Sequence, residues 1–154
     1  MIRICFVCHG NICRSPMAEF VMKSLVKEKG MEKSFYITSR ATHTDEIWGD
    51  VGNPIYPPAQ KELEKHNIPF GDKRAQLLEN SDGDKYDYFI GMDSENIRYM
   101  TKILGIKNRD KIYKLMSFAG FDESVSDPWY TRDFDRAYND IYIGCKALFE
   151  EVTK

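Results

Sequence analysis

The amino terminus restricts the possible folds more than any other segment of the chain. Residues 2–7 are almost all aliphatic, aromatic or β-branched, a pattern typical of a strand that is covered on both faces. After a polar loop comes a helix, for which Ser15 is a suitable cap and Pro16 a suitable first-turn residue. Its apolar residues fall on one face, and Gly30 ends it. Because a strand buried on both faces needs helices on either side, this segment predicts an α/β fold.

Strand and helix patterns alternate along the rest of the chain. Connections long enough for crossovers predict an open parallel sheet that binds ligands at the carboxyl ends of its strands. We expect a single domain over residues 1–154, with three layers and a central four-stranded parallel sheet flanked by helices. The further predicted elements are strands at 35–39, 86–92 and 111–116, a long loop at 40–55, and helices at 57–67, 94–104 and 134–152.

Charge and hydropathy exclude some classes of partner. The chain has 22 basic and 24 acidic residues and a net charge of −2, so nothing general favours nucleic acid or an anionic membrane as a ligand. No apolar run is long enough for the core of a signal peptide or for a membrane span. We therefore expect a cytoplasmic protein with neither kind of partner.

The first strand leads into a possible anion site. Cys8 is followed by five loop residues, then Arg14 and the start of the helix. In such a loop, backbone N–H groups that point into its centre and the positive end of the helix dipole form a cradle for phosphate. The planar guanidinium of an arginine can bind two of the phosphate oxygens. Cysteines in such positions are largely thiolate at neutral pH, which makes Cys8 a nucleophile. The predicted cradle residues are His9, Gly10, Asn11, Ile12 and Cys13.

This spacing of cysteine and arginine is common by chance, but here it lies between a buried strand and a helix start, where a phosphate cradle requires it. Residues 8–19, CHGNICRSPMAE, and 126–130, SDPWY, resemble the two signatures of the low-molecular-weight protein tyrosine phosphatases. The resemblance spans nearly the whole chain. It implies a phosphotyrosine phosphatase I-like fold.

The resemblance also implies a mechanism without a metal or other cofactor. Cys8 would attack phosphorus while Asp127 protonates the leaving phenolate, and water activated by Asp127 would then hydrolyse the cysteinyl phosphate. Arg14 would stabilise charge in both steps. The substrate would be a phosphotyrosine-containing protein or a small aryl phosphate, and inorganic phosphate a product. From the residues alone, Asp127 is more typical of a surface turn than of a catalytic acid, because Asp-Pro is a common turn dipeptide. The two signatures together favour the acid.

Other polar residues of the motif have expected supporting roles. By resemblance, Ser15 donates a hydrogen bond to the sulfur of Cys8 and eases its departure, in addition to its role as a helix cap. Asn11 tolerates a left-handed conformation and is expected to hold the loop. The resemblance implies that His66 supports Asn11, and a solvent-facing position at a helix end is an equally open alternative.

The walls of the pocket are expected to be aromatic. Trp48, Trp129 and Tyr130 are candidates for a deep slot that accepts a flat phenol ring. Two of the three adjoin Asp127, which favours them over Trp48. Aromatic side chains are, however, more often part of a core.

The cysteines are best interpreted one at a time. Cys5 and Cys145 face into a strand and a helix stripe and are predicted to be core residues. The resemblance implies that Cys13 forms a reversible disulfide with Cys8 on oxidation. A buried, inert thiol is the alternative.

The chain departs from the family pattern at two places that border the pocket. Residues 39–42, SRAT, stand where a Ser-Ala-Gly-Thr-like run is common, and Arg132 stands where glycine is frequent. These departures leave substrate preference open, including a choice between phosphotyrosine and phosphoarginine. The rival functions are an arsenate reductase, for which the downstream cysteine pair is missing, and a phosphate-binding or redox-sensing module without turnover.

Overall fold

The computed structural model describes all residues, 1–154, and its centre is a parallel sheet. Four strands pair in the order β2-β1-β5-β6. They are β1 (Ile2–Cys8), β2 (Phe35–Ala41), β5 (Tyr88–Gly91) and β6 (Ile112–Lys114). All three pairings are parallel. The predicted four-stranded parallel sheet is confirmed.

Helices cover both faces of this sheet, as predicted. They are α1 (Arg14–Glu28), α2 (Pro57–Lys65), α3 (Ser94–Leu104), the short α4 (Pro128–Thr131) and α5 (Phe134–Val152). Four 3-10 turns connect them to the strands, at Glu32–Ser34, Asn80–Asp84, Ile106–Lys111 and Leu115–Ala119.

The alternation of side chains along β1 divides the core into two layers. Ile4 and Phe6 belong to the larger cluster, which includes apolar residues of α1 and α5. Cys5 and Val7 point to the other face, where they join residues of α3. All four are fully buried, which confirms that the strand is covered on both sides. The backbone N–H and C=O groups of β1 can be buried because the strand is hydrogen-bonded to β2 on one edge and to β5 on the other.

The structure differs from the sequence prediction at several element boundaries. The predicted loop 40–55 contains an antiparallel hairpin of two short strands, β3 (Ile47–Trp48) and β4 (Val51–Gly52). The fourth strand of the sheet is shorter than predicted, because the backbone turns into a 3-10 helix at Leu115. Two-residue strands and such turns carry too little periodicity to be distinguished from loop.

Ser15 is not the cap of α1. The helix begins at Arg14, and no side chain caps it, because the hydroxyl of Ser15 is engaged elsewhere, with Cys8 and Asn11. At the other end Gly30 adopts a left-handed conformation with φ +68°, and the N–H of Met31 donates back to the carbonyl of Val26. This Schellman arrangement is the reason that a glycine ends the helix.

No helix is both long enough and apolar enough to cross a membrane.

Candidate active site

The loop between β1 and α1 forms the floor of a cavity of about 580 Å³ at the carboxyl edge of the sheet. Every residue from Cys8 to Arg14 lines this cavity. The loop turns sharply at Asn11, which has a left-handed φ of 59°. Asparagine tolerates this conformation better than most residues. The predicted cradle residues are thus brought together around one space.

Arg14 is almost fully buried beside this loop. Its Nη1 donates to the carbonyl of Val125 at 3.0 Å and its Nη2 to a carboxylate oxygen of Asp93 at 2.8 Å. The same Nη2 lies 3.5 Å from Oδ2 of Asp127. Burial disfavours the charge, but the negative charges of Cys8, Asp127 and Asp93 outweigh it and raise the pKa of Arg14. The guanidinium is therefore a fixed cation, oriented from two loops.

A chain of hydrogen bonds extends from Cys8 into the core. The sulfur of Cys8 lies 3.0 Å from the hydroxyl of Ser15, and that hydroxyl oxygen accepts from the amide of Asn11 at 2.8 Å. The same amide donates to the hydroxyl of Ser39 at 2.9 Å. Ser39 in turn donates to the carboxylate of Glu19 at 2.6 Å.

The carboxylate at the end of this chain sets the direction of every bond in it. Since a carboxylate only accepts, the proton of Ser39 is committed to Glu19, and Ser39 must accept from Asn11. The amide oxygen of Asn11 accepts from the backbone N–H of Gln76 at 3.0 Å, which fixes the amide orientation. Ser15 therefore accepts from Asn11, and its own proton is free to point at the sulfur of Cys8. The hydroxyl of Ser15 can therefore donate to that sulfur at 3.0 Å.

Glu19 is a buried carboxylate with two lysine partners. It is 3% exposed, and its oxygens lie 2.7 Å from Nζ of Lys23 and 3.5 Å from Nζ of Lys73. Burial lowers the pKa of Lys73, although the charge of Glu19 acts in the opposite direction. A buried charge is tolerated when it is paired and hydrogen-bonded in this way.

Asp127 lies at the mouth of the same cavity, as the cap of α4. Its Oδ1 accepts from the N–H of Trp129 at 3.0 Å, and about a third of its side chain is exposed. The segment before it is anchored, because the N–H of Val125 donates to the carbonyl of Met92, directly after β5. Asp127 therefore combines a defined position with access to water.

Two of the three predicted aromatic walls line the cavity. Trp129 packs against Tyr56, with ring centroids 5.4 Å apart, and remains about half exposed. Tyr130 is 82% exposed at the rim. Trp48 does not line the cavity, because the hairpin β3–β4 presents it to solvent and leaves it 74% exposed.

His66 does not contact Asn11. Its Nε2 lies 3.0 Å from a carboxylate oxygen of Glu62, and its ring stacks on Tyr138 at 3.7 Å. The support that the sequence left open for this histidine is given to Asn11 by Ser39 and by the backbone of Gln76.

All four cysteines are free and buried. Cys5 and Cys145 lie in the core, as predicted. Burial raises the pKa of Cys5 to about 12 and that of Cys145 still further. Burial, together with the charges of Cys8 and Asp127, also raises the pKa of Cys13 to about 12. These three side chains are therefore neutral thiols at physiological pH.

Four of the five acidic residues that line the cavity, all except Asp127, were not predicted from the sequence. Asp93 is the most informative of them, because it contacts Arg14 and also caps α3 through the N–H of Asn96. The sequence could have indicated Asp93, because it stands between a predicted strand and a predicted helix, where an aspartate that caps the helix is common. The others are Asp45, Glu46 and Glu95.

Comparison with known proteins agrees with this geometry. Residues 3–154 match the family described as low molecular weight phosphotyrosine protein phosphatase. The low molecular weight protein-tyrosine-phosphatase PtpA of Staphylococcus aureus is 36% identical over 155 residues, which span 100% of this chain and 96% of that protein.

Two solved structures are similar over almost their whole length. The low molecular weight protein tyrosine phosphatase of Streptococcus pyogenes has a TM-score of 0.89 and 37% identity, with 100% of this chain and 95% of that chain covered. YfkJ from Bacillus subtilis has a TM-score of 0.88 and 35% identity, with 99% and 95% covered. This chain belongs to the low molecular weight phosphotyrosine protein phosphatase family.

Proposed function

We propose that this protein hydrolyses phosphotyrosine and other aryl phosphates, with Cys8 as nucleophile, Arg14 as phosphate ligand and Asp127 as general acid. The observation that carries the proposal is that these three side chains meet in one cavity, above a loop that precedes a helix. The directed hydrogen bond from Ser15 to the sulfur of Cys8 supports the assignment of the nucleophile.

The first step is an in-line displacement. The sulfur of Cys8 attacks phosphorus, the bond to the phenolic oxygen breaks, and Asp127 gives its proton to that oxygen. The loop N–H groups and Arg14 stabilise charge on the three equatorial oxygens. Because Arg14 is already held by Asp93 and Val125, little reorganisation is needed when phosphate binds.

The second step regenerates the enzyme. Asp127, now a carboxylate, accepts a proton from water, the water attacks phosphorus, and the bond to the sulfur of Cys8 breaks. The leaving thiolate receives the hydrogen bond of Ser15, which lowers the energy of the departing group. Inorganic phosphate is released. None of these steps calls for a metal or another cofactor.

The lining of the cavity is suited to a substrate with a flat phosphorylated ring. Trp129 and Tyr130 offer aromatic surface beside Asp127, where the leaving phenolate would lie. The physiological substrate is proposed to be a phosphotyrosine-containing protein of the cytoplasm.

The proposal is tested by hydrolysis of para-nitrophenyl phosphate in the presence of a chelator. We expect activity in the reduced wild-type protein, its complete loss in Cys8→Ser, and a fall of about 100- to 1000-fold in Asp127→Ala. Glu64→Gln, a change on the exposed side of α2, serves as the control and should retain full activity. Absence of hydrolysis by the wild type, together with tight binding of inorganic phosphate, would instead identify a phosphate-binding module.

A further inference from the structure

Acidic side chains outnumber basic ones in the active-site cavity. Five carboxylates line it, and Arg14 is its only lysine or arginine. The carboxylates belong to Asp45, Glu46, Asp93, Glu95 and Asp127.

Three of these carboxylates have a cationic or ionisable partner. Asp93 and Asp127 lie beside the guanidinium of Arg14, at 2.8 and 3.5 Å. Asp45 lies 2.7 Å from Nε2 of His9, and this hydrogen bond lowers the pKa of Asp45. The charge of Arg14 is thus already shared between two carboxylates before any phosphate arrives.

The other two, Glu46 and Glu95, have no cation within ion-pair distance. Glu46 accepts only a long hydrogen bond of 3.4 Å from the amide of Asn53. Its aliphatic part lies over the cradle, since a Cβ placed on Gly10 would meet its Cγ at 3.1 Å. Glu95 is exposed in the first turn of α3. The two side chains come from different segments, the entry to the hairpin β3–β4 and the start of α3.

These positions have a consequence for any substrate chain that enters the cavity. Its phosphate occupies the cradle at the floor, so the residues next to the phosphotyrosine must pass the carboxylates at the mouth. Acidic neighbours would meet like charge there, whereas basic neighbours would give Glu46 and Glu95 the cation that the protein does not supply. Charges at the rim of an interface act mainly on the rate of encounter and on specificity.

Resting on the proposed function, we propose that Glu46 and Glu95 direct this phosphatase toward phosphotyrosine residues flanked by lysine or arginine. They are specificity-determining residues, distinct from the groups that perform the reaction. The two glutamates would thus bind a basic segment of a phosphorylated protein.

The test compares two peptides of equal length that differ only in the residues on either side of phosphotyrosine, lysine in one and glutamate in the other. For the wild type we expect kcat/KM to be about tenfold or more higher for the lysine peptide at low ionic strength. In the double variant Glu46→Gln, Glu95→Gln the ratio of the two kcat/KM values should approach one. The matched control Glu64→Gln should keep the wild-type ratio.

Salt provides a second readout that a purely structural effect would not reproduce. The preference for the lysine peptide should weaken as ionic strength rises from about 0.01 to 0.15 M, because the Debye length falls from about 30 to about 8 Å. The double variant should show little salt dependence of the ratio.

Equal kcat/KM values for the two peptides in the wild type would overturn the specificity proposal while leaving the phosphatase assignment intact. An unchanged ratio in the double variant would also overturn it. If the wild type hydrolysed neither peptide nor para-nitrophenyl phosphate, the proposed function itself would fail, and the specificity proposal with it.

Discussion

The hydroxyl of Ser39 donates a hydrogen bond of 2.6 Å to the buried carboxylate of Glu19. Through Asn11 this bond determines which way the proton of Ser15 points, although Ser39 lies on β2 and does not line the cavity. In Ser39→Ala, Glu19 loses a donor and Asn11 an acceptor. We expect the free energy of unfolding to fall by about 1–3 kcal/mol, measured by urea denaturation.

The same variant should also lose activity, because the orientation of Asn11 and Ser15 is no longer enforced. The control is Ser117→Ala, which removes an exposed hydroxyl that donates to the carbonyl of Lys114. If Ser39→Ala kept full stability and full activity, the hydrogen-bonded chain would have no functional importance.

Ser15→Ala should change the second chemical step more than the first. The hydrogen bond from its hydroxyl to the sulfur of Cys8 is worth most when the sulfur leaves as a thiolate. We expect a burst of nitrophenol close to one equivalent, followed by a steady rate about 10- to 100-fold below that of the wild type. Rapid mixing with para-nitrophenyl phosphate measures both quantities.

Ser24→Ala, on the same helix, is the control for this experiment and should behave like the wild type. A slow reaction without any burst in Ser15→Ala would contradict the assignment, since it would place the effect on the attack of Cys8 rather than on its departure.

Asp93 has two separable roles, and two variants distinguish them. Asp93→Ala removes both the cap of α3 and the partner of Arg14, and should lower the free energy of unfolding by about 1 kcal/mol from the cap alone. Asp93→Asn keeps a capping oxygen but loses the charge, so it should recover stability.

In both Asp93 variants kcat/KM should fall about tenfold or more, because the guanidinium loses one of its two anchors and small misplacements of catalytic groups are costly. Denaturation and steady-state kinetics on the same preparations give the comparison. Wild-type kinetics in Asp93→Asn would show that the carbonyl of Val125 is sufficient to hold Arg14.

Buried thiols should make the protein less stable at high pH. The pKa values of Cys5 and Cys13 are raised from 9.0 to about 12. The stabilising contribution of each thiol is fully present below pH 9.0. It is lost as the pH rises toward 12, because the unfolded chain ionises first. We expect unfolding midpoints to decrease above pH 9, with each such thiol contributing up to about 1.4 kcal/mol per pH unit.

Cys13→Ala isolates one of these groups. The free energy of unfolding of this variant should decrease less steeply above pH 9 than that of the wild type. Near neutral pH it should change with pH in the same way in both proteins. Parallel pH profiles for the two proteins would argue against a raised pKa at Cys13.

The sheet and the nucleophile loop were predictable because their signals are local. The apolar run before Cys8 and the helix start after Arg14 each lie within a few residues, and β-branched residues at the other strands give the same kind of signal. The hairpin β3–β4 was missed since its strands are only two residues long. Its absence from the prediction explains why the exposed position of Trp48 was also missed.

The support of the loop was much harder to predict from sequence. The bonds among Asn11, Ser39 and Glu19 join residues from β2, α1 and the loop, and each residue alone is compatible with many positions. Asp93 carried a clear capping signal but no signal for its contact with Arg14, which lies 79 positions away. Such partners depend on the register of the parallel strands, which the sequence pattern does not specify.

Arg14 joins segments that are remote along the chain, and this has a consequence for folding. Its guanidinium contacts Asp93, the cap of α3, and the carbonyl of Val125, two residues before Asp127. The loop from Cys8 to Arg14 therefore does not complete the site by itself. A fragment that ends before residue 125 would contain the whole loop from Cys8 to Arg14 and still lack Asp127 and one of the two anchors of the guanidinium, the carbonyl of Val125. The site is thus complete only when the segment from Val125 to Asp127 has docked on the sheet, and in refolding experiments hydrolysis should return no earlier than that docking.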